Sequence, residues 1–145
     1  MKPINFYLVT DTHYFENELG AGGPAFEKNM LTEQYFVKES SAIVSTTFDR
    51  IIQDKDTDIV IIPGDLTKDG ELESHKSLAE KFESFEEETG IQVLVIPGNH
   101  DFGNLGEYCE VDLAKFKEIY ADFGYNQALT LAEGHGSYTA DLSER

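Results

Sequence analysis

Polar clusters with metal-binding side chains follow three runs of β-branched and aromatic residues in this sequence. They are Asp11-Thr12-His13, Gly64-Asp65-Leu66-Thr67 and Gly98-Asn99-His100-Asp101. In an open α/β sheet, the loops at the carboxyl ends of parallel strands converge on one edge, which is where such sheets bind ligands. Carboxylate, amide and imidazole groups are the ligands of metal-assisted hydrolases. The sequence therefore predicts one shared site built from these strand ends.

Asp11 and His13 stand two positions apart, directly after the first apolar run. If the strand continues through them, their side chains share one face and can hold the same ion. The alternative is an Asx turn at Asp11 with a surface histidine beside it. The pair becomes informative only when it is combined with the other clusters.

Asp65 follows Gly64, a residue that lets two backbone segments approach closely. The carboxylate of Asp65 has two oxygens, which could each face a different ion. Its alternative role is to cap the helix that follows. Thr67 and Asp69 are nearer to the start of that helix, however, and are the better cap candidates.

The pattern of apolar residues predicts the elements that position these clusters. Short apolar runs predict buried strands over residues 4–10, 59–62 and 91–96, and a further strand within residues 137–142. Helical spacing predicts amphipathic helices over residues 31–55 and 70–88. A third helix is marked by Leu113, Phe116, Tyr120 and Phe123 and closed by Gly124. Four glycine and proline residues between His13 and Met30 predict an irregular segment there.

The element order β-α-β-α-β-α defines the fold class as α/β with mainly parallel strands. Parallel neighbours joined by crossover helices have their carboxyl ends on the same side of the sheet. Asp11, Asp65 and Asn99 are therefore expected to lie together.

In this order, the motifs Asp-x-His, Gly-Asp and Gly-Asn-His-Asp resemble those of calcineurin-like metallophosphoesterases. The resemblance covers most of residues 6–101, and residues 116–138 resemble the bacterial branch of cyclic-nucleotide phosphodiesterases. It implies a fold similar to the first half of a four-layer αββα sandwich. Under that resemblance, residues 1–145 form the amino-terminal part of one catalytic domain whose remainder is absent.

The resemblance also implies roles for individual residues. Asp11, His13, Asp65 and Asn99 would bind two divalent or mixed-valence metal ions, Mn, Fe or Zn, with Asp65 bridging them. His100 would protonate the leaving group, and Asp101 would orient the His100 ring. In complete members, a second half supplies further ligands through Gly-His and Gly-His-x-His motifs. Gly134-His135 resembles the first of these only superficially, and Gly-His-x-His does not occur before Arg145. The isolated chain is therefore expected to hold metal weakly or at one site and to be inactive or weakly active.

Other parts of the sequence depart from the family pattern or have structural interpretations. In the family an acid often follows a few residues after Gly-Asp, whereas this sequence has Lys68-Asp69 there. The difference affects the hydrogen bonds that orient the ligands rather than metal binding itself. His75 lies in an acidic helix and is interpreted as a solvated residue. His135 is interpreted as part of a loop before a strand, outside the metal site. The single cysteine, Cys109, has no intrachain disulfide partner and is expected to be a buried structural thiol.

Composition narrows the functional classes. With 145 residues, of which 40% are apolar, the chain can bury the core of one domain. A net charge of −17 argues against extended binding to nucleic acid, whereas a bound metal would allow a small anionic substrate. The apolar run at the amino terminus is too short for a signal peptide or membrane span, so a cytoplasmic location is expected unless a leader has been removed. An uncovered sheet face would favour self-association of a fragment.

These observations predict a metal-dependent phosphoester hydrolase. The expected activity is that of a phosphodiesterase, with a cyclic nucleotide as the narrower substrate, using a binuclear metal centre and a metal-bound hydroxide. A phosphomonoesterase or protein phosphatase would use the same motifs. A noncatalytic binding or scaffold domain could also retain the fold. A nuclease is disfavoured by the charge.

Overall fold

A parallel three-stranded sheet organises the fold. The computed structural model describes residues 3–20, 22–32, 36–102 and 110–142. Strands β1 (Phe6–Leu8), β2 (Ile59–Pro63) and β3 (Gln92–Ile96) lie in that order, and both pairings are parallel. The register places Val60 opposite both Tyr7 and Val93. The predicted α/β class with parallel strands is confirmed.

Helices α1 (Pro24–Met30), α2 (Ser40–Gln53), α3 (Leu72–Thr89) and α4 (Leu113–Ile119) alternate with these strands. The faces that the sequence predicted for α2 and α3 are buried, as expected for amphipathic helices. Phe48 of α2 packs on Phe82 and Phe85 of α3, with ring centroids 5.5 and 4.7 Å apart. Gly90 ends α3 in the left-handed conformation, with φ of 69°, as the sequence predicted.

The first strand is shorter and more exposed than the sequence predicted. The interpretation of residues 4–10 as a buried strand is wrong, because β1 covers only Phe6–Leu8, lies at the edge of the described sheet, and has exposed side chains at all of its positions. Phe6 is 57% exposed and Leu8 is 59% exposed. A continuous apolar run cannot by itself distinguish an interior strand from an edge strand.

Two predicted segments between the first strands also differ from the structure. The segment between His13 and Met30, predicted to be irregular, contains helix α1, which begins at Pro24 because proline suits the first turn of a helix. The helix predicted over residues 31–55 is confirmed only as α2, from Ser40 to Gln53. A 3-10 turn, Val37–Glu39, precedes α2, and residues 33–35 lie outside the described part of the chain.

The third helix ends earlier than predicted. A π-helical turn, Ala121–Tyr125, follows α4, and Gly124 within it has φ of 116°. The predicted strand at residues 137–142 is confirmed only as β5 (Tyr138–Thr139), which pairs antiparallel with β4 (Thr130–Leu131). None of the described helices has both the length and the apolar character that crossing a bilayer requires.

Candidate metal centre

Among the non-glycine residues that the structure describes, only a small group has a left-handed backbone conformation. These residues are Asp11, His13 and Asp65, with φ of 54°, 39° and 49°. Each conformation costs free energy, and such residues cluster at functional sites where the surrounding structure holds them. All of them carry side chains that the sequence assigned to the metal site.

Backbone hydrogen bonds hold the turn after β1 against the turn after β2. The Asp11 N–H donates to Gly64 O at 3.4 Å, and the His13 N–H donates to Asp65 O at 3.0 Å. The expectation that Asp11 and His13 share the face of a continuing strand is wrong, because β1 ends at Leu8. Left-handed turns, rather than strand alternation, bring the two side chains together.

Glycine residues allow the turns after β2 and β3 to touch. Gly64 has φ of 96°, and a Cβ placed on it would lie 3.0 Å from Gly98 Cα. A Cβ on Gly98 would collide with the Asp65 carboxylate and backbone nitrogen. The His100 N–H donates to Asp65 Oδ1 at 2.9 Å, so this close approach also fixes the Asp65 side chain.

The structure brings Asp11, His13 and Asp65 into one group of potential ligands. One ligand atom from each residue lies within 4.8 Å of the others, and His13 Nε2 is 4.0 Å from Asp11 Oδ1. Metal bonds of about 2.0–2.2 Å join ligand atoms that are up to about 4.3 Å apart, so small side-chain movements suffice to hold an ion. Carboxylate and imidazole donors suit first-row metals, and the donor set therefore fits the group that the sequence predicted.

Asn99 lies in the turn after β3, which contacts the turn that carries Asp65. Its chain neighbours Gly98 and His100 both contact Asp65. Asn99 itself is exposed. Coordination by its side-chain oxygen stays a prediction.

The environment of His13 favours a form that can bind metal. Burial lowers the pKa of His13, and the nearby His100 lowers it further, while the carboxylates of Asp65 and Asp11 act in the opposite direction. A lowered pKa keeps the imidazole neutral near neutral pH. The neutral ring has a nitrogen lone pair to donate to a cation.

His100 stands beside His13, with ring centroids 4.7 Å apart and the rings perpendicular. Its Nδ1 lies 2.7 Å from Lys68 O, which can only accept a hydrogen bond, so Nδ1 carries a proton. Asp69 Oδ1 is 3.5 Å from the same nitrogen. The Lys68-Asp69 pair, which departed from the family pattern, thus supplies both a carbonyl and a carboxylate to the His100 ring.

The structure changes the role assigned to Asp101. The prediction made it the partner of the His100 ring, but its carboxylate is fully buried and accepts from the backbone N–H groups of Leu66, Thr67 and Gly98. Burial raises the pKa of Asp101, and these hydrogen bonds oppose the rise. Asp101 therefore fastens the turn after β3 to the turn after β2, and the ring contact at Nδ1 is made by Lys68 instead.

The proposed capping roles near Asp65 are not found. The N-cap of α3 is Glu71, and the N–H of Leu72 donates to Glu110 Oε2. Thr67 Oγ1 accepts from the Gly70 N–H, before the helix begins. The alternative role of Asp65 as a helix cap is thus excluded by its position, several residues before the cap.

His75 is the functional candidate that the sequence interpretation missed. The interpretation as a solvated residue is wrong, because the side chain is fully buried (0% exposed). A signal was present: His75 lies three positions from both Leu72 and Leu78, on the apolar face of α3. The exposed acidic residues of the same helix, Glu73, Glu80, Glu83 and Glu87 among them, obscured this signal.

The other histidine that the sequence singled out, His135, lies outside this site. His135 is exposed in the turn between β4 and β5, as expected, where its N–H donates to Ala132 O at 3.4 Å. Cys109 lies outside the described residues, so its predicted burial stays a prediction.

Comparison with known protein families agrees with this site. The calcineurin-like phosphoesterase family matches residues 4–143, nearly the whole chain. The protein therefore belongs to that family, which implies metal-dependent hydrolysis of phosphoesters. No curated protein matches the chain significantly.

Proposed function

We propose that this protein hydrolyses phosphodiesters with a binuclear metal centre at the ends of β1, β2 and β3. The observation that carries the proposal is the convergence of Asp11, His13 and Asp65 next to the ring of His100. When bound, the ions would supply positive charge to the phosphoryl oxygens and lower the pKa of a water molecule. That charge is needed because the chain carries a net charge of −17 and the substrate is an anion.

Asp65 is the proposed bridging ligand. Its Oδ1 is held by the His100 N–H, and its backbone is locked between Gly64 and Gly98, so the carboxylate is positioned before any ion arrives. Asp11 and His13 would bind one ion with it. Asn99 would contribute to the other. These side chains fill only part of two coordination shells, so we propose that one ion binds more tightly than the other.

His100 is the proposed proton donor to the leaving alkoxide. Its Nδ1 proton is committed to Lys68 O, which assigns proton transfer to Nε2. The Asp69 carboxylate, 3.5 Å from Nδ1, compensates the positive charge of the protonated ring. A positioned acid of this kind accelerates bond breaking by about 10²–10⁴-fold.

The narrower proposal is a cyclic-nucleotide substrate, supported by the sequence of residues 116–138. Manganese, iron or zinc is the proposed metal, because the donors are oxygen and nitrogen atoms without thiolates. A phosphomonoesterase would use the same donors. Relative rates on substrates therefore decide between these activities.

The test compares Mn²⁺-loaded wild-type protein on bis(p-nitrophenyl) phosphate, p-nitrophenyl phosphate and 2′,3′- and 3′,5′-cyclic AMP. We expect the diester to be hydrolysed faster than the monoester. His100→Asn keeps a donor near Lys68 O but removes the proton-transferring nitrogen, so we expect kcat on cyclic AMP, whose leaving group is an alkoxide, to fall by about 100-fold or more. The p-nitrophenyl esters, whose phenolate leaves without help from an acid, should be less affected. His135→Asn is the matched control, because it removes an exposed histidine outside the site.

Two results would contradict the proposal. Either the metal-loaded protein hydrolyses none of the esters, which would favour a noncatalytic binding domain, or His100→Asn retains the wild-type kcat on an alkyl ester such as cyclic AMP. A monoester rate above the diester rate would replace the phosphodiesterase proposal by a phosphomonoesterase.

A further inference from the structure

The ring of one buried histidine contacts both turns that carry the proposed catalytic residues. His75 Nε2 lies 3.0 Å from the Asp101 carbonyl oxygen and 3.2 Å from Thr67 Oγ1. Its other nitrogen, Nδ1, lies 3.0 Å from the Tyr120 hydroxyl, at the end of α4. The ring therefore joins helix α3 to the turn after β2, the turn after β3 and the last residue of the α4 region.

The hydrogen-bond partners determine the tautomer of His75. The Asp101 carbonyl can only accept, so Nε2 carries the proton and donates it. Nδ1 then accepts from the Tyr120 hydroxyl. Both nitrogens are thus used in the neutral ring, and burial, which lowers the pKa of His75 to about 4, favours that neutral form.

His75 contacts Thr67 and Asp101, which are close in sequence to the site residues Asp65 and His100. Thr67 lies two residues after Asp65, and Asp101 lies directly after His100. The Asp101 carboxylate also accepts from the Thr67 N–H at 2.9 Å, so the two turns are joined at this point. A rigid imidazole packed against both residues fixes how far His100 stands from Asp65. Misplacement of a catalytic group by about 1 Å can cost about 100-fold in rate.

We propose that His75, held by Tyr120, is a positioning residue that sets the placement of the His100 turn relative to Asp65 and His13. The proposal rests on the proposed hydrolase function for its kinetic consequence. Its structural consequence is independent of that function. His75 itself does not touch the ligand group and is not assigned a step in the reaction.

The experiment compares His75→Leu, His75→Gln and Tyr120→Phe in Mn²⁺-loaded protein with bis(p-nitrophenyl) phosphate. His75→Leu removes the polar contacts of both ring nitrogens, and we expect kcat to fall by about 10–100-fold while KM changes by less than about threefold. His75→Gln keeps a donor for the Asp101 carbonyl and should restore most of the loss. Tyr120→Phe removes only the hydroxyl and should lower kcat by about 3–10-fold, which provides a test even if His75→Leu fails to fold.

Phe85→Ala is the control for loss of stability alone. Phe85 lies on α3 and packs on Phe48 in the core, ten residues along the helix from His75. Its truncation should destabilise the fold by creating a cavity, yet leave kcat unchanged at a temperature where the protein is folded. If Phe85→Ala lowers kcat as much as Tyr120→Phe, the effect of the tyrosine is one of stability and the positioning role is refuted.

A second readout does not depend on hydrolysis. In the metal-free protein, ring protons of His13 and His100 should give a nuclear Overhauser effect, because the ring centroids are 4.7 Å apart. The effect should weaken in Tyr120→Phe and His75→Leu and persist in His75→Gln and Phe85→Ala. Unchanged ring contacts in Tyr120→Phe and in any folded His75→Leu overturn the positioning role. If the ring contacts weaken in these variants while the wild-type protein hydrolyses no ester, the positioning role is supported and the proposed function is rejected.

Discussion

Replacing His75 by glutamine should remove a specific part of the pH dependence of stability. Burial lowers the pKa of His75 from 6.5 to about 4 in the folded protein, whereas the unfolded chain protonates near the ordinary value. Between these values the unfolded state binds the extra proton, so stability falls as the pH falls. The full stabilisation is present above about pH 6.5 and is lost on approaching pH 4. The complete shift corresponds to about 3 kcal/mol, of which about 2 kcal/mol is lost between about pH 7.5 and 5.

Urea unfolding followed by far-ultraviolet circular dichroism measures this effect. Wild-type protein and His75→Gln are compared at about pH 7.5 and about pH 5, a range above the sequence pI of 4.4. Glutamine does not titrate, so the stability advantage of the wild type should shrink by about 2 kcal/mol across this range. His135→Gln controls for the removal of an exposed histidine. A stability difference between wild type and His75→Gln that does not change with pH would refute the assignment of a buried neutral ring.

Other substitutions test the close packing of the site and the core. Gly98→Ala places a Cβ against the Asp65 carboxylate, so we expect Mn²⁺ affinity measured by calorimetry to fall by about 10–100-fold. Gly22→Ala meets no atom within 4 Å and should leave that affinity unchanged, so equal effects would contradict the steric argument. Phe82→Ala should lower the free energy of unfolding by about 3–5 kcal/mol in urea, because the ring is fully buried. Asp101→Asn presents an amide N–H to backbone donors and should destabilise the fold by about 1–3 kcal/mol. If Asp101→Asn has the same free energy of unfolding as the wild type, the turns do not depend on the Asp101 carboxylate.

The sequence predicted the elements whose signals are local. Val44, Phe48 and Ile51 recur at helical spacing, and the structure buries all of them on one face of α2. Gly90 ends α3 as expected, because a left-handed C-terminal residue favours glycine. The convergence of the turns that carry Asp11, His13 and Asp65 was also predicted, since parallel strand order brings these turns to one edge.

Features that depend on tertiary context were not predictable in the same way. Phe6 and Leu8 are exposed on β1, at the edge of the described sheet, because side-chain exposure depends on which elements cover the sheet faces, and the apolar run does not encode that. The left-handed backbone at Asp11 and His13 depends on hydrogen bonds to the turn after β2. The burial of His75 required knowing that Tyr120, Thr67 and Asp101 lie around it, and those residues are distant along the chain.

The joined turns of the metal centre also determine when the site can form during folding. The hydrogen bond from Thr12 Oγ1 to Leu66 O closes a separation of 54 residues, and the one from His100 N to Asp65 Oδ1 closes 35. Contacts so distant along the chain carry a loop-closure entropy that must be overcome before the site exists. A cation therefore meets its complete set of donors only after the parallel sheet has assembled, and it should act by mass action on the native state rather than as a nucleus for folding.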